Sequence, residues 1–330
     1  MENILNSGVQ IILWLQSIGD WFTPIMKFFT FLGNEQFYLM VAPAILWCID
    51  STLGMRLGLF LMISGMVNSV LKVVFHGPRP YWFTNNLKVF GGAENSFGVP
   101  SGHAQNAVVV WGTLADRIKR GWFWIVAIIV IFLIGISRLY LAVHFPHDVL
   151  LGWIVGTLLL WLLLRFERPA LEWLKKYSSG IQVLIAFLFS LILILIVLLA
   201  QLFVRGWAIP LEWVNNALYA YPDEPSITPL SFHNFLSSAG AFFGLAAGWI
   251  WISKLGGFST QGNWWRLILR YLLGLIGVLI LYIGLGSLFS DQETVTSYAL
   301  RYLRYALIGF WMSGFAPWLF VKLKLTDRVK

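Results

Sequence analysis

Three short stretches of this chain carry residues whose types and spacing suit phosphoryl-transfer chemistry. The first is Lys72-Val-Val-Phe-His-Gly-Pro-Arg79-Pro80, which sets two cations on either side of a proline-flanked turn. The second is Pro100-Ser101-Gly102-His103. Ser101 is a good N-cap, and a helix N-terminus with a close-approaching Gly102 favours an anion. His103 then lies within a turn of that anion, where it can pass a proton to a leaving oxygen. The third is Ser137-Arg138, followed by His144-Phe-Pro146-His147-Asp148. Pro146 suits the first turn of a helix, and Asp148 in that turn can reach the Nδ1–H of His144, leaving Nε2 free to attack. Each stretch alone also has a structural explanation as snorkelling cations, a capped helix or an interfacial histidine. Together they supply three cations, a helix N-terminus, two histidines and a carboxylate. Arg79 and Arg138 would hold a phosphate bidentately and Lys72 as a point charge, neutralising the transition state. No cluster of carboxylates, histidines or cysteines has metal-ligand spacing, so no metal or other cofactor is expected.

The elements that must position these groups are membrane helices. Apolar residues make up 58% of the 330 positions and charged ones only 12%, roughly half of what soluble domains carry. Eighteen tryptophans fit a membrane protein, and Cys48, the only cysteine, excludes an intrachain disulfide. Residues 3–29 mix apolar positions with Gln10, Gln16, Asp20 and Lys27, the pattern of an interfacial amphipathic helix, and segment 1–35 carries no basic n-region of a cleavable signal peptide. Nine hydrophobic spans follow, at about 36–53, 55–75, 104–118, 122–140, 148–165, 180–204, 231–253, 267–289 and 301–321. The even-sided loops hold 15 of the 23 basic residues; the other side holds eight, together with the acidic stretches around Asp223–Glu224 and Asp291–Glu293. The positive-inside rule then predicts the N-terminus out and the C-terminus in the cytoplasm, with all three stretches on the outer face. The net charge of +8 belongs to this bias and indicates no nucleic-acid partner. A Gly240–Gly244–Gly248 row predicts close helix packing.

These residues resemble the type 2 phosphatidic acid phosphatase superfamily. Its pattern of Lys-x6-Arg-Pro, Pro-Ser-Gly-His and Ser-Arg-x5-His-x3-Asp stands here as Lys72…Arg79-Pro80, Pro100–His103 and Ser137-Arg138…His144…Asp148, within residues 36–165. The resemblance implies an all-α polytopic membrane protein with a six-helix-type phosphatase core at 36–179 and a four-span extension at 180–330. It also implies metal-independent hydrolysis through a phosphohistidine. His144, His103 and Asp148 would be catalytic, with Lys72, Arg79, Ser101, Gly102 and Arg138 binding phosphate. Arg79-Pro-Tyr-Trp82, Ser137-Arg138-Leu-Tyr-Leu-Ala and His144-Phe-Pro-His147 look like the glucose-6-phosphatase branch, as does the nine-span layout. That branch tends to lack the acid where Asp148 stands, while lipid phosphatases keep it.

A phosphorylated lipid or isoprenyl diphosphate at the outer leaflet of a prokaryotic plasma membrane is therefore the leading expectation for the substrate. A soluble sugar phosphate is the alternative, and a transporter or inactive lipid-binding protein the reading from another class. His76 and His233 are expected to be structural, Asn68 and Asn106 to bond neighbouring helices, and the 81–99 loop, with Lys88 and Glu94, to cover the site. Oligomeric state is not legible in the sequence.

Overall fold

The computed structural model describes residues 2–288 and 294–329, and among these all regular structure is helical. The helices are α1 (Glu2–Gln16), α2 (Thr23–Phe31), α3 (Glu35–Cys48), α4 (Ser51–Phe75), the short α5 (Pro80–Phe83), α6 (Gly102–Ile118), α7 (Gly121–Tyr140), α8 (Pro146–Leu174), α9 (Ser179–Phe203), α10 (Leu211–Ala220), α11 (His233–Lys254), α12 (Trp264–Leu279), α13 (Leu285–Leu288), α14 (Val295–Phe310) and α15 (Ala316–Lys322). The Asp291–Glu293 stretch and the side chain of His233 lie outside the described residues.

The chain is an all-α polytopic membrane protein. Six helical stretches are long and apolar enough to cross a bilayer: Ser51–Phe83, Gly121–Tyr140, Pro146–Leu174, Ser179–Phe203, Phe235–Lys254 and Trp264–Ser287. The other three expected spans fall on shorter helices. At 36–53, α3 has 14 residues and an internal Pro43. At 104–118, α6 has 17 residues and buries Gln105, Asn106 and Thr113. At 301–321, a π-helical turn at Trp311–Phe315 separates α14 from α15. A straight crossing of the hydrocarbon core takes about 20 residues, so these three helices differ from the other six in length and polarity.

The chain divides into two compact units, each built from separated stretches: residues 1–38, 67–161 and 197–231 in one, residues 39–66, 162–196 and 232–330 in the other. The first unit buries Leu15, Met26, Tyr81, Trp82, Phe97, Tyr140 and Val149 together. Within it α1 packs Leu5, Val9 and Ile12 against Leu87, Ala142 and Phe145. Its opposite face leaves Ile4, Ile11 and Trp14 exposed, so the amphipathic pattern of this helix serves protein packing on one side. Residues 197–231, expected to belong to the C-terminal extension, are part of this first unit.

In the second unit α11 and α14 meet backbone to backbone. A Cβ at Gly240 would collide with the Tyr302 carbonyl oxygen, and one at Gly244 with that of Ala306, so the glycine row does what its spacing predicts. Arg270 on α12 is fully buried and donates to the carbonyls of Trp47, Ser259, Gln261 and Leu325. Its charge is dispersed over carbonyl dipoles of that unit.

Candidate active site

All eight residues singled out in the sequence fall in the first unit. Direct contacts link Arg79, His144, Asp148 and Ser101, while Lys72 and Arg138 each reach Arg79 through one shared partner. Lys72 lies on the last turn of α4, and Pro78, directly before Arg79, keeps that helix from running on. Arg79 precedes α5, in extended conformation with Pro80 at the first helical position. Ser101 caps α6 as expected, its hydroxyl accepting from the Ala104 N–H at 3.4 Å. Arg138 lies in the last turn of α7, and a tight turn over Leu141–Phe145 delivers His144 to the start of α8, where Asp148 sits in the first turn. The Ser101 N–H donates to the Asp148 carbonyl at 2.9 Å, which ties the start of α6 to the start of α8.

His144 is the centre of this arrangement. Its Nδ1 lies 3.2 Å from Asp148 Oδ2, and the same oxygen accepts from the Phe145 N–H at 2.8 Å. Its Nε2 lies 3.4 Å from Arg79 Nη1. A guanidinium only donates, so Nε2 must present its lone pair there, and the ring proton sits on Nδ1 facing the carboxylate. Burial first, then the charges of Arg79, Arg138 and Lys72, hold the His144 pKa well below the ordinary histidine value. The ring is therefore neutral at physiological pH with its lone pair facing Arg79.

Arg79 is fully buried and Arg138 is 4% exposed. Arg79 donates to the Ser96 carbonyl at 2.6 Å, the Val143 carbonyl at 3.0 Å and the Ser96 hydroxyl at 3.0 Å. Lys72 Nζ donates to the same hydroxyl at 2.7 Å. Trp82, fully buried, places its ring 6.0 Å from the Arg79 guanidinium and supports it from behind. Glu94 bridges the two guanidiniums, accepting from Arg79 Nη2 at 3.3 Å and from Arg138 Nη2 at 2.7 Å. Burial works against its charge, but Arg79 and Arg138 outweigh that and hold the carboxyl well below the usual range. Among the described residues the buried Arg138 Nε has no partner.

Several of these partners were not legible in the sequence. Arg138 Nη1 donates to the Thr30 hydroxyl at 2.5 Å, and His103 Nε2 pairs with the Asn34 side-chain oxygen at 2.5 Å. Both partners come from the N-terminal segment that reads as merely interfacial. The 84–99 loop, expected to cover the site, supplies Ser96 and Glu94. Asn68, expected to bond a neighbouring helix, donates to the Pro100 carbonyl at 3.2 Å and to Gln105 Oε1 at 2.9 Å, holding the Pro100–His103 turn. Its Oδ1 would lie 3.1 Å from a Cβ at position 102, so Gly102 is tightly fitted. Gly152 on α8 is a further positioning residue: a Cβ there would meet the Ser101 carbonyl oxygen at 2.7 Å. His76 packs on Trp207 and Phe97, while His147 places Nε2 3.1 Å from Asp148 Oδ1. Among the described residues no group of three or more His, Cys, Asp or Glu is placed to hold a metal ion.

This geometry offers a buried imidazole with its tautomer set, three neighbouring cations and a second histidine. Known proteins carry related sequences. Residues 53–172 match the PAP2 superfamily, and residues 236–328 match the PAP2 superfamily phosphatase, transmembrane extension. The chain is 25% identical to glucose-6-phosphatase 2 of Homo sapiens, with 96% of each covered. It is 30% identical to undecaprenyl-diphosphatase of Sulfolobus acidocaldarius, over 43% of this chain and 69% of that one. The crystal structure of the first transmembrane PAP2 type phosphatidylglycerolphosphate phosphatase from Bacillus subtilis aligns with a TM-score of 0.44 at 27% identity, over 51% of this chain and 88% of that one.

Proposed function

The chain belongs to the PAP2 superfamily and is a membrane phosphatase, and on that footing we propose that it hydrolyses phosphate monoesters in two steps through a phosphohistidine on His144. Nε2 of His144 attacks phosphorus in line, and the P–O bond to the leaving group breaks. The electron pair goes to the leaving oxygen, which takes a proton from His103. His103 then removes a proton from water, the resulting hydroxide attacks phosphorus, and the N–P bond breaks to return the lone pair to Nε2. Arg79, Arg138 and Lys72 hold the equatorial oxygens as charge builds. Asp148 keeps the Nδ1 proton in place and steadies the ring as it becomes positive. The observation that carries this reading is the pairing of His144 Nδ1 with Asp148 while Nε2 faces Arg79.

Two substrate classes fit. The intact Asp148 and the likeness to an undecaprenyl-diphosphatase favour a lipid phosphate or isoprenyl diphosphate. The groups on the partly exposed side of the cradle favour a soluble sugar phosphate. Thr30, Asn34, Glu94 and Ser96 all offer hydrogen bonds, and Asn34 lies against the histidine that would serve the leaving oxygen. Likeness to a glucose-6-phosphatase over 96% of both chains points the same way. We give the sugar phosphate precedence, because the non-phosphate part of the substrate meets a polar surface there. We further propose nine spans, with the N-terminus and the site on the outer face of a prokaryotic plasma membrane.

Phosphate release from detergent-solubilised protein offered glucose 6-phosphate, phosphatidate and isoprenyl diphosphate separates the two classes. Preference for either lipid substrate reverses the precedence. His144→Ala should abolish turnover and the acid-labile phosphoenzyme; near-normal turnover in that variant would sink the phosphohistidine route. A reporter fused after Lys330 that reads extracytoplasmic would overturn the orientation.

A further inference from the structure

The two guanidiniums that would hold the substrate phosphate are already bridged by an anion of the protein itself. Glu94 Oε2 lies 3.3 Å from Arg79 Nη2 and Oε1 lies 2.7 Å from Arg138 Nη2. A carboxylate and a phosphate dianion cannot share these donors, since like charges at that separation repel strongly. Glu94 is also fastened through its backbone. The Tyr81 hydroxyl donates to the Glu94 carbonyl at 3.1 Å and accepts from the Glu94 N–H at 3.0 Å. Beyond it, the loop is strapped by residues that follow α9 in the chain. Tyr221 donates to the Gly91 carbonyl at 2.6 Å, and Asn95 bonds both the hydroxyl and the N–H of Thr228. This gives a role to a part of the C-terminal extension that carries no chemistry of its own.

We propose that Glu94 is an internal competitor for the phosphoryl group: its carboxylate fills the arginine cradle of the free enzyme, phosphate binds by displacing it, and the contacts of Tyr221 and Thr228 to the loop set how readily it gives way. The consequence is selectivity. An anion must outcompete a preplaced carboxylate, which favours the dianion of a phosphate monoester over singly charged ligands. The proposal rests on the phosphatase reading above.

The test is the inhibition constant of orthophosphate against hydrolysis of an aryl phosphate, backed by direct calorimetric binding of orthophosphate. Glu94→Gln keeps the shape and removes the charge. It should tighten orthophosphate about tenfold and lower KM in parallel, as expected when a closed state no longer competes. A role in mere scaffolding would weaken binding instead. Tyr221→Phe, away from the cradle, should tighten orthophosphate by about threefold, from a looser loop of the same closed state. It decides the matter should Glu94→Gln fail to fold. Unchanged or weaker orthophosphate binding in these variants overturns the proposal while leaving the phosphatase reading intact. If the unaltered protein neither hydrolyses any ester nor binds orthophosphate, the phosphatase reading fails and this proposal falls with it.

Discussion

Replacing Asp148 by Asn separates two jobs that a histidine-bound carboxylate does at once. In the structure one oxygen, Oδ2, accepts both from His144 Nδ1 at 3.2 Å and from the Phe145 N–H at 2.8 Å. The amide oxygen of the introduced asparagine can take that position and accept both bonds. Its NH₂ then falls where Oδ1 was, 3.1 Å from His147 Nε2, a buried position at which the carboxylate oxygen itself makes no hydrogen bond. The tautomer of His144 therefore survives, and only the negative charge is lost. A hydrogen bond to a charged group contributes about 1.5–3 kcal/mol against about 0.5–1.5 for a neutral one. The charge matters most as the ring becomes positive on attack, so the barrier should rise by about 1.5–2.5 kcal/mol, or roughly 10–70-fold in kcat. Asp148→Ala leaves both N–H groups buried without an acceptor, which costs about 1–3 kcal/mol each. It should lose roughly a thousandfold or more and melt earlier. The assay is single-turnover phosphoenzyme formation and kcat on an aryl phosphate, beside thermal unfolding in detergent. A loss in Asp148→Asn as large as about 10⁴-fold, the size seen when a histidine is held in the wrong tautomer, would refute the single-oxygen argument. A loss under about threefold would refute any role for Asp148 in the chemistry.

Three further outcomes follow from the same geometry. Gly152→Ala places a methyl 2.7 Å from the Ser101 carbonyl oxygen and 3.1 Å from the Ala104 Cβ, so it should push the α6 start away from Asp148. We expect about 1–3 kcal/mol lost in stability and a severalfold fall in kcat; wild-type values for both would show that α8 and α6 have slack there. His144 should stay neutral as pH falls through 6.5 in histidine-¹⁵N NMR of the folded protein, because burial and the neighbouring cations oppose its charge. The unfolded chain takes up that proton near its ordinary pKa while the folded one does not, so stability contributed by the neutral ring is lost as pH drops below that value. A His144 titration at the ordinary value would contradict the buried, cation-flanked site. Extensive treatment with chelator should leave turnover within about twofold, since the donor set consists of cations and histidines without a carboxylate cluster; a large loss would reveal a metal.

The candidate site residues were legible because their relations are local. Asp148 is four positions from His144, in the first turn of the helix that the His144 turn leads into, and so within reach of the ring. Ser101 caps a helix that starts at the next residue, and Pro80 and Pro146 open helices by their fixed backbone angle. The membrane class follows from composition alone, and the Gly240–Gly244–Gly248 row from helical periodicity. What the sequence did not reveal lies at long separation. Glu94 reaches Arg138 across 44 positions, Thr30 reaches Arg138 across 108, and Asn95 meets Thr228 across 133. None of these partners has a spacing rule, because they meet only after helices from distant stretches have packed into one unit.

The sequence by itself thus determined the phosphatase class, the candidate groups for its chemistry and the membrane setting, since helix caps, turn prolines and apolar spans act over a few residues. Only the tertiary structure decided that the N-terminal segment touches the site through Thr30 and Asn34. It alone decided that a stretch of the C-terminal extension holds the 84–99 loop and that Glu94 fills the cradle between Arg79 and Arg138. The physical reason is that an arginine's charge announces that it will find an anion, while which carboxylate reaches it depends on how the surrounding helices and loops pack.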